Sequence, residues 1–220
     1  ENPDQLIDQD THFIVDSNVA RLYPKFLKKI VSNPRTILID AKEKNKSIEQ
    51  VIPLIRRLVD NKIRRNHSLM AIGGGIIQDI TCFIASTLLR GIPWAFFPTT
   101  LLAQADSCIG SKSSINLGAT KNILGTFNPP RVVYINLGFL ETLENDVLKS
   151  GVGEIIKVHA IDGVSAFDEL TKDYDHYQCP IAVNGGWSEW SECSKECDGG
   201  IKTRICIEPA NGGKECSEID

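Results

Sequence analysis

Apolar runs of strand length alternate with stretches of helical period as far as residue 162. Residues 13–16, 36–40, 68–73, 94–98 and 132–136 read as strands, each followed by a helical stretch. Ser47-Ile48-Glu49-Gln50 reads as a capping box, and Ile48, Val51, Ile52, Ile55 and Leu58 line one helical face behind it. Pro53 would kink that helix or delay its start. A second helix, from Ile76 to about Leu89, buries Ile76, Ile80, Phe83, Ile84, Thr87 and Leu88. Such alternation predicts an α/β fold: a Rossmann-like, doubly wound, mostly parallel sheet with helices on both faces.

From Cys179 the pattern stops. Asn184-Gly185-Gly186, Asp198-Gly199-Gly200 and Asn211-Gly212-Gly213 are turn signals, and no helical period is left. A segment of this size cannot bury enough surface to fold without staples. Two domains are therefore expected, residues 1–178 and 179–220, with no internal repeat. Cysteine usage follows the same division. Cys82 and Cys108 stand alone in the first part, while Cys179, Cys193, Cys197, Cys206 and Cys216 crowd the second. Sparse cysteine suits a reducing compartment and dense cysteine an oxidising one, so the two parts disagree about location.

An apolar fraction of 42% and a charged fraction of 24% are those of a folded globular chain rather than a disordered one. A net charge of −4 supplies no electrostatic reason to expect nucleic acid or an anionic membrane as partner. No apolar run approaches the roughly 20 residues that span a bilayer. The opening residues Glu1-Asn2-Pro3-Asp4-Gln5 show no charged-then-apolar leader, so a signal peptide is not expected there.

Ile72-Gly73-Gly74-Gly75-Ile76-Ile77-Gln78-Asp79 follows a predicted strand and opens a predicted helix. Glycines there let backbone N–H groups come close to a pyrophosphate, whose charge a helix N-terminus favours. By itself a glycine triplet is often only a tight turn. More follows it. Arg90-Gly91 closes the helix, and the next strand leads into Pro98-Thr99-Thr100 and on to Gln104-Ala105-Asp106-Ser107. Then come Gly110-Ser111-Lys112, Lys121-Asn122 and the run from Gly151 through Glu154 to Lys157. Polar and charged residues recur where strands end, which is where open α/β sheets bind ligands. Taken singly, Arg90, Lys112, Lys121 and Lys157 read as solvated surface charges.

Taken together, the order and spacing of these motifs resemble the 3-dehydroquinate synthase family of sugar-phosphate cyclases, over residues 13–177 and almost without a gap over 73–157. Gln78 and Cys82 stand where glycine is usual, and Ser111 replaces a second glycine, as in a divergent branch. The resemblance implies a cytoplasmic lyase that binds NAD and a divalent metal, zinc or cobalt, acts on a small-molecule sugar phosphate and forms a homodimer. NAD would oxidise a ring hydroxyl, phosphate would be eliminated, hydride would return, and an aldol step would close the ring. Carried over residue by residue, Asp16, Asn18, Glu43, Lys46, Gly74, Gly75, Asp79, Thr99, Thr100, Lys121 and the turn from Phe139 to Thr142 would touch the nucleotide. Arg90, Asp106, Lys112, Asn122 and Lys157 would face the substrate, with Lys112, Lys157 and Asp106 as the catalytic set. Glu154 would be the metal ligand.

A catalytic zinc site needs three protein ligands and an open position. The resemblance implies that the other two are histidines on a helical domain downstream of this stretch. The histidines present are His12, His67, His159 and His176. His159 lies about 140° round a helix from Glu154, so the two do not converge on one metal. His12 and His67 precede strands and read as surface residues, and His176 sits at the junction. The chain is therefore expected to be truncated and inactive alone.

In the tail, Trp187-Ser188-Glu189-Trp190 leads to Cys193 and Cys197, then Lys202, Arg204 and Cys206. This resembles an incomplete thrombospondin type 1 repeat over residues 185–218, an extracellular disulfide-rich module in which tryptophans stack between cations. By resemblance Cys206 and Cys216 would bridge, and extracellular proteins or glycans would be the partners. The alternatives are thus an interaction protein acting through the repeat, or a non-functional gene fusion.

Overall fold

The computed structural model of the protein describes residues 8–176. The expected boundary at residue 178 and the repeat-like tail lie outside the described residues. The chain divides into two compact units after Gly163. In the second unit the described element is helix α6 (Val164–His176).

In the first unit, five parallel strands form one sheet: β1 (Thr11–Asp16), β2 (Thr36–Ile39), β3 (Ser68–Gly73), β4 (Trp94–Pro98) and β7 (Val132–Val133). Their order is β2-β1-β3-β4-β7. The α/β class and the parallel sheet are as expected. The strand order is the flavodoxin-like one, not the order 3-2-1-4-5-6 of dinucleotide-binding sheets, and its reversal falls between β1 and β3. The predicted strand at 132–136 shortens to two residues, although the Tyr134 amide still donates to the Phe96 carbonyl at 2.8 Å.

Helices cover both faces. On one lie α3 (Ile48–Asp60) and α4 (Gly75–Thr87), packed on Ile14, Ile37, Leu69, Ala71 and Phe96. On the other lie α1 (Ser17–Leu22) and α2 (Lys28–Val31), with Phe13, Val15, Met70, Ile72, Phe97 and Phe139. Phe13, Ile14, Ile72, Phe96 and Phe97 are fully buried, each contributing about 1.5–3 kcal/mol by leaving water. Because the central strands are buried on both faces, they read as continuous apolar runs.

Helix α3 begins at Ile48, so Pro53 does not delay it. Ser47 takes the extended N-cap conformation, but its side chain makes no capping bond. Val51 and Leu58 are buried, whereas Ile52, expected on the same face, stays 43% exposed. It stands about 100° round from Val51, beyond the edge of the apolar stripe.

Helix α4 departs further from expectation. Its buried arc runs through Ile77, Gln78, Ile80, Thr81, Cys82, Ile84 and Ala85, while Thr87 is exposed and Ile76 and Phe83 are half-buried. The reason is a hairpin that the alternation of strands and helices did not predict. Strands β5 (Lys112–Leu117) and β6 (Thr120–Phe127) pair antiparallel around Gly118, whose φ is +55°. α4 packs against this hairpin as well as against β3, so it is buried on two sides.

Beyond β7, a 3-10 turn over Leu137–Thr142 leads into α5 (Asn145–Asp162). Gly151 lets α5 approach the loop after β4. A Cβ there would lie 2.7 Å from the Leu101 side chain and the Leu102 backbone nitrogen. Gly151→Ala is therefore expected to destabilise the fold by about 1–3 kcal/mol through overpacking against backbone, despite the roughly 1 kcal/mol that alanine gains as a helix former. Urea unfolding measures it, and an unchanged midpoint would refute the close approach.

Candidate functional site

The carboxyl ends of β1, β3 and β4 converge at the point where the strand order reverses. Asp16 ends β1 and caps α1, its carboxylate accepting from the Asn18 backbone N–H at 2.9 Å. Burial, with a smaller contribution from Asp40, raises the Asp16 carboxyl above the usual carboxylate range. Asn18 accepts in turn from the Arg21 guanidinium at 2.7 Å. Between this corner and the loop after β4 lies a cleft of about 310 Å³, lined by Asp16, Asn18, Thr99, Thr100, Phe139 and Thr142 among others. The structure thus gathers six of the predicted nucleotide residues on one cavity.

Phe139 is mainly an anchor. It is 2% exposed and meets the edges of Tyr23 and Phe26 at ring distances of 5.0 and 5.5 Å. Tyr23, which the sequence did not single out, ties the wall of the cleft together. Its hydroxyl donates to the Gly138 carbonyl at 2.9 Å and lies 2.8 Å from the Thr142 hydroxyl.

The glycine turn forms the adjoining edge. Gly74 is the N-cap of α4 and no side chain caps that helix, which leaves its first backbone N–H groups without an intrahelical acceptor. A Cβ on Gly74 would meet the Thr100 methyl at 3.0 Å, whereas one on Gly75 would meet nothing within 4 Å. This is a cradle with open space above it, suited to an anionic group. Residues and space fit a dinucleotide pyrophosphate.

A second cluster stands behind Asp79. The Lys46 ammonium lies 3.0 Å from Asp79 Oδ2 and 2.8 Å from Asn122 Oδ1, with only 8% of its side chain exposed. Asp79 Oδ1 accepts from the Ser114 backbone N–H at 3.0 Å, and burial still raises its carboxyl above the ordinary range. Asn122 sits at φ +54°, where its backbone N–H donates to Asn116 Oδ1 at 2.8 Å. Asn116 Nδ2 donates to Glu43 Oε1 at 2.9 Å. Asn116 is thus the buried hub joining Glu43 to Asn122. A polar side chain in the apolar half of Ser114-Ile115-Asn116-Leu117 was its signal.

The remaining predicted residues are more scattered. Lys112 and Lys121 are exposed on the hairpin. Asp106 is half-buried in a π-helical turn over Ala103–Ser107. That turn is fastened to α4 by Gln78, whose Nε2 donates to the Ser107 carbonyl and whose Oε1 accepts from the Ser107 hydroxyl, both at 2.6 Å. Arg90 follows α4, whose 13 residues carry it about 20 Å from the glycine turn. The structure does not bring Arg90 together with the cleft residues of its own chain. Glu154 and Lys157 form an ion pair on α5. His159 Nδ1 lies 2.8 Å from the Ile155 carbonyl. Among the described residues no group of three or more His, Cys, Asp or Glu is placed to hold a metal, so Glu154 alone does not make a metal site. No described helix is long and apolar enough to cross a membrane.

A further hollow of about 370 Å³ opens at the amino ends of the strands, among Arg65, Trp94 and Arg131, and holds none of the predicted residues. Cys82 and Cys108 are free and buried, and burial pushes both thiols up.

An open parallel sheet wound on both faces, with a polar cleft and an uncapped glycine turn at its switch point, defines an α/β domain with a candidate ligand site at the carboxyl ends of its strands. Residues 36–150 match the family model for 3-dehydroquinate synthase N-terminal, and residues 185–220 match that for the thrombospondin type 1 domain. The chain belongs to the 3-dehydroquinate synthase family. It is 38% identical over 176 residues to the 3-dehydroquinate synthase of Alkaliphilus oremlandii, a match covering 79% of this chain and 48% of that enzyme. The chain spans about half the length of the curated relatives it matches. Among solved structures it resembles a 2-epi-5-epi-valiolone synthase from Streptomyces hygroscopicus subsp. jinggangensis 5008 with NAD+ and Zn2+ bound, at a TM-score of 0.62 and 33% identity, covering 68% of this chain and 43% of that one. It also resembles a 2-deoxy-scyllo-inosose synthase complexed with carbaglucose-6-phosphate, NAD+ and Co2+, at a TM-score of 0.60 and 26% identity, covering 68% and 43%.

Proposed function

We propose that residues 8–163 are the NAD-binding half of a sugar-phosphate cyclase. The observation that carries this is the cleft in which Asp16, Asn18, Thr99, Thr100, Phe139 and Thr142 meet beside the uncapped turn at Gly74 and Gly75. The N–H groups of that turn would receive the pyrophosphate, and Asp16 and Asn18 would hydrogen-bond hydroxyl groups of the nucleotide. Bound NAD supplies hydride chemistry; the chain's own residues supply orientation and charge. Lys112, Asn122 and Lys157 would offer cations and an amide to a phosphate and carboxylate, with Asp106 as a proton carrier, and Lys121 would face the nucleotide. Glu154 is one ligand of a divalent metal whose remaining ligands lie outside the described residues, so turnover is not expected from these residues alone. Arg90 joins a substrate site only if another copy or another segment brings it there.

NAD binding is directly testable. A ligand selective for the folded state raises its stability, by about 2.7 kcal/mol at a hundred times its Kd. Millimolar NAD is expected to raise the melting temperature, and no shift would overturn the reading. Gly75→Ala is expected not to lower the melting temperature without NAD, since its methyl enters open space. It should weaken NAD by about tenfold or more, a loss of about 1.4 kcal/mol, because that methyl would stand where the pyrophosphate approaches.

The match over residues 185–220 favours a second reading, in which that segment is an extracellular interaction module with oxidised cysteines. Secretion of the native chain with its cysteines oxidised would support it, and a chain found only reduced inside cells would defeat it. If both readings hold, the chain is a gene fusion, and a continuous transcript across residues 160–190 is expected.

A further inference from the structure

At the amino ends of the central strands β1 and β3, opposite the cleft, two imidazoles are buried together. His12, in β1, is 0% exposed and His67, just before β3, is 5% exposed. The sequence places both on the surface; the structure corrects that. Parallel pairing sets Thr11 beside Ser68 and His12 beside Leu69, which brings the two rings to 5.2 Å in a stacked arrangement. His12 Nε2 lies 3.0 Å from His67 Nδ1. His67 Nε2 lies 3.3 Å from Asp10 Oδ1, and Asp10 reaches solvent. His12 Nδ1, at the inner end, is buried with no partner.

This geometry fixes the protons. An ionised Asp10 only accepts, so neutral His67 carries its proton on Nε2 and presents Nδ1 as an acceptor. His12 must then donate from Nε2, which leaves Nδ1 as a lone pair facing no donor. An unfilled acceptor is tolerable; a buried donor or an imidazolium without a partner is much less so. Any proton the pair takes up creates one or the other. It lands on His12 Nδ1, or passes along to His67 and reverses the bond so that His12 carries its proton on Nδ1. The groups acting on His12 are Arg35 from the turn before β2, His67 from before β3, and Asp10 from its own strand end. Arg35 and His67 oppose its protonation and Asp10 favours it.

We infer that Asp10, His67 and His12 form an acid-sensitive latch that holds the amino ends of β1 and β3 together only while both rings are neutral. The same two strands end at Asp16 and at the glycine turn, so loosening the latch loosens the strands that frame the cleft. This rests on the fold and not on the proposed cofactor. Burial, then Arg35 and His67, lower His12 from the ordinary 6.5 to about 4. In that interval the unfolded chain binds the extra proton, so stability rises with pH. The contribution is complete above about 6.5 and is lost as pH falls toward 4. One proton changes the unfolding constant by at most about tenfold per pH unit.

Urea unfolding of the full chain between pH 7.5 and 4.5 tests it, comparing the wild type with His12→Phe and Asp10→Asn. The wild type should lose stability steeply below about pH 6.5. His12→Phe should flatten that slope by up to one proton, and Asp10→Asn should not flatten it, since Asp10 favours the protonation of His12. Equal slopes in the wild type and His12→Phe would overturn the inference. Should the Phe variant fail to fold, nitrogen NMR of the imidazoles in the wild type decides. A His12 protonated on Nε2 that does not titrate down to pH 5 supports the latch, and one that titrates near 6.5 overturns it.

Discussion

Lys46→Met is expected to cost about 3 kcal/mol of folding stability at pH 7 and to recover part of that loss as pH is lowered toward 5. The Lys46 ammonium is the charge that opposes the burial of Asp79, at 3.0 Å, and only 23% of the Asp79 side chain is exposed. Methionine keeps the apolar stem, so charge and hydrogen bonds are what is lost. Breaking a buried pair by removing one partner costs about 3–5 kcal/mol; the lower end applies because Asp79 keeps the Ser114 N–H. The pH sign follows from the direction of the shift. Burial already raises the Asp79 carboxyl above its ordinary 3.8. Over the interval between the unfolded and folded values the folded state holds more protons, so stability falls as pH rises. Removing Lys46 raises the folded value further and widens the interval, so the variant regains stability as pH falls. Urea unfolding at both pH values measures it. Adding Asp79→Asn to the variant should restore part of the loss at pH 7, and a deficit independent of pH would refute the pairing.

The same cluster shows what the sequence could and could not reveal. Strands β1, β3 and β4 are legible because both of their faces are buried, so Phe13-Ile14-Val15, Leu69-Met70-Ala71-Ile72 and Trp94-Ala95-Phe96-Phe97 run apolar without interruption. The hairpin is not. β5 contains Ser113, Ser114 and Asn116, and the Ser114 backbone N–H and the Asn116 amide go to Asp79 of α4 and to Glu43 rather than to water. Missing it also misplaced the buried arc of α4, since the hairpin packs on that helix, while Gln78 is covered by the Ala103–Ser107 turn. Lys46, Asp79 and Asn122 were legible one by one through their motifs. That a single ammonium joins them follows only from tertiary pairing, as does the hub at Asn116. The histidines fail in the sequence for a related reason. Asp10-Thr11-His12 and Asn66-His67-Ser68 look like polar strand entries, and only the β1–β3 register puts the two rings against each other.

Gly73→Ala is expected to lower stability by about 2 kcal/mol, a drop of about 4–8 °C in melting temperature, and to abolish any NAD-induced shift. Gly73 is the last residue of β3, and its carbonyl accepts from the Thr99 N–H at 2.9 Å. An added Cβ would stand 2.4 Å from Ile77 Cγ1 and 2.7 Å from Ile77 Cβ. Ile77 is fully buried between the sheet and α4, and its Cβ is fixed to the helix backbone, so a change of rotamer does not relieve the overlap. The first turn of α4 has to move. Against this, alanine restricts the unfolded chain and gains about 0.4–1 kcal/mol, too little to compensate. Gly75→Ala is the internal control, because it adds the same methyl two residues later where nothing lies within 4 Å. Thermal melts of the two variants, with and without NAD, separate the roles. Gly73 acts by letting the turn pack and Gly75 by leaving room above it, so Gly73→Ala should lose stability and binding together, whereas Gly75→Ala should lose binding alone. Equal melting temperatures for the two variants without ligand would overturn this assignment.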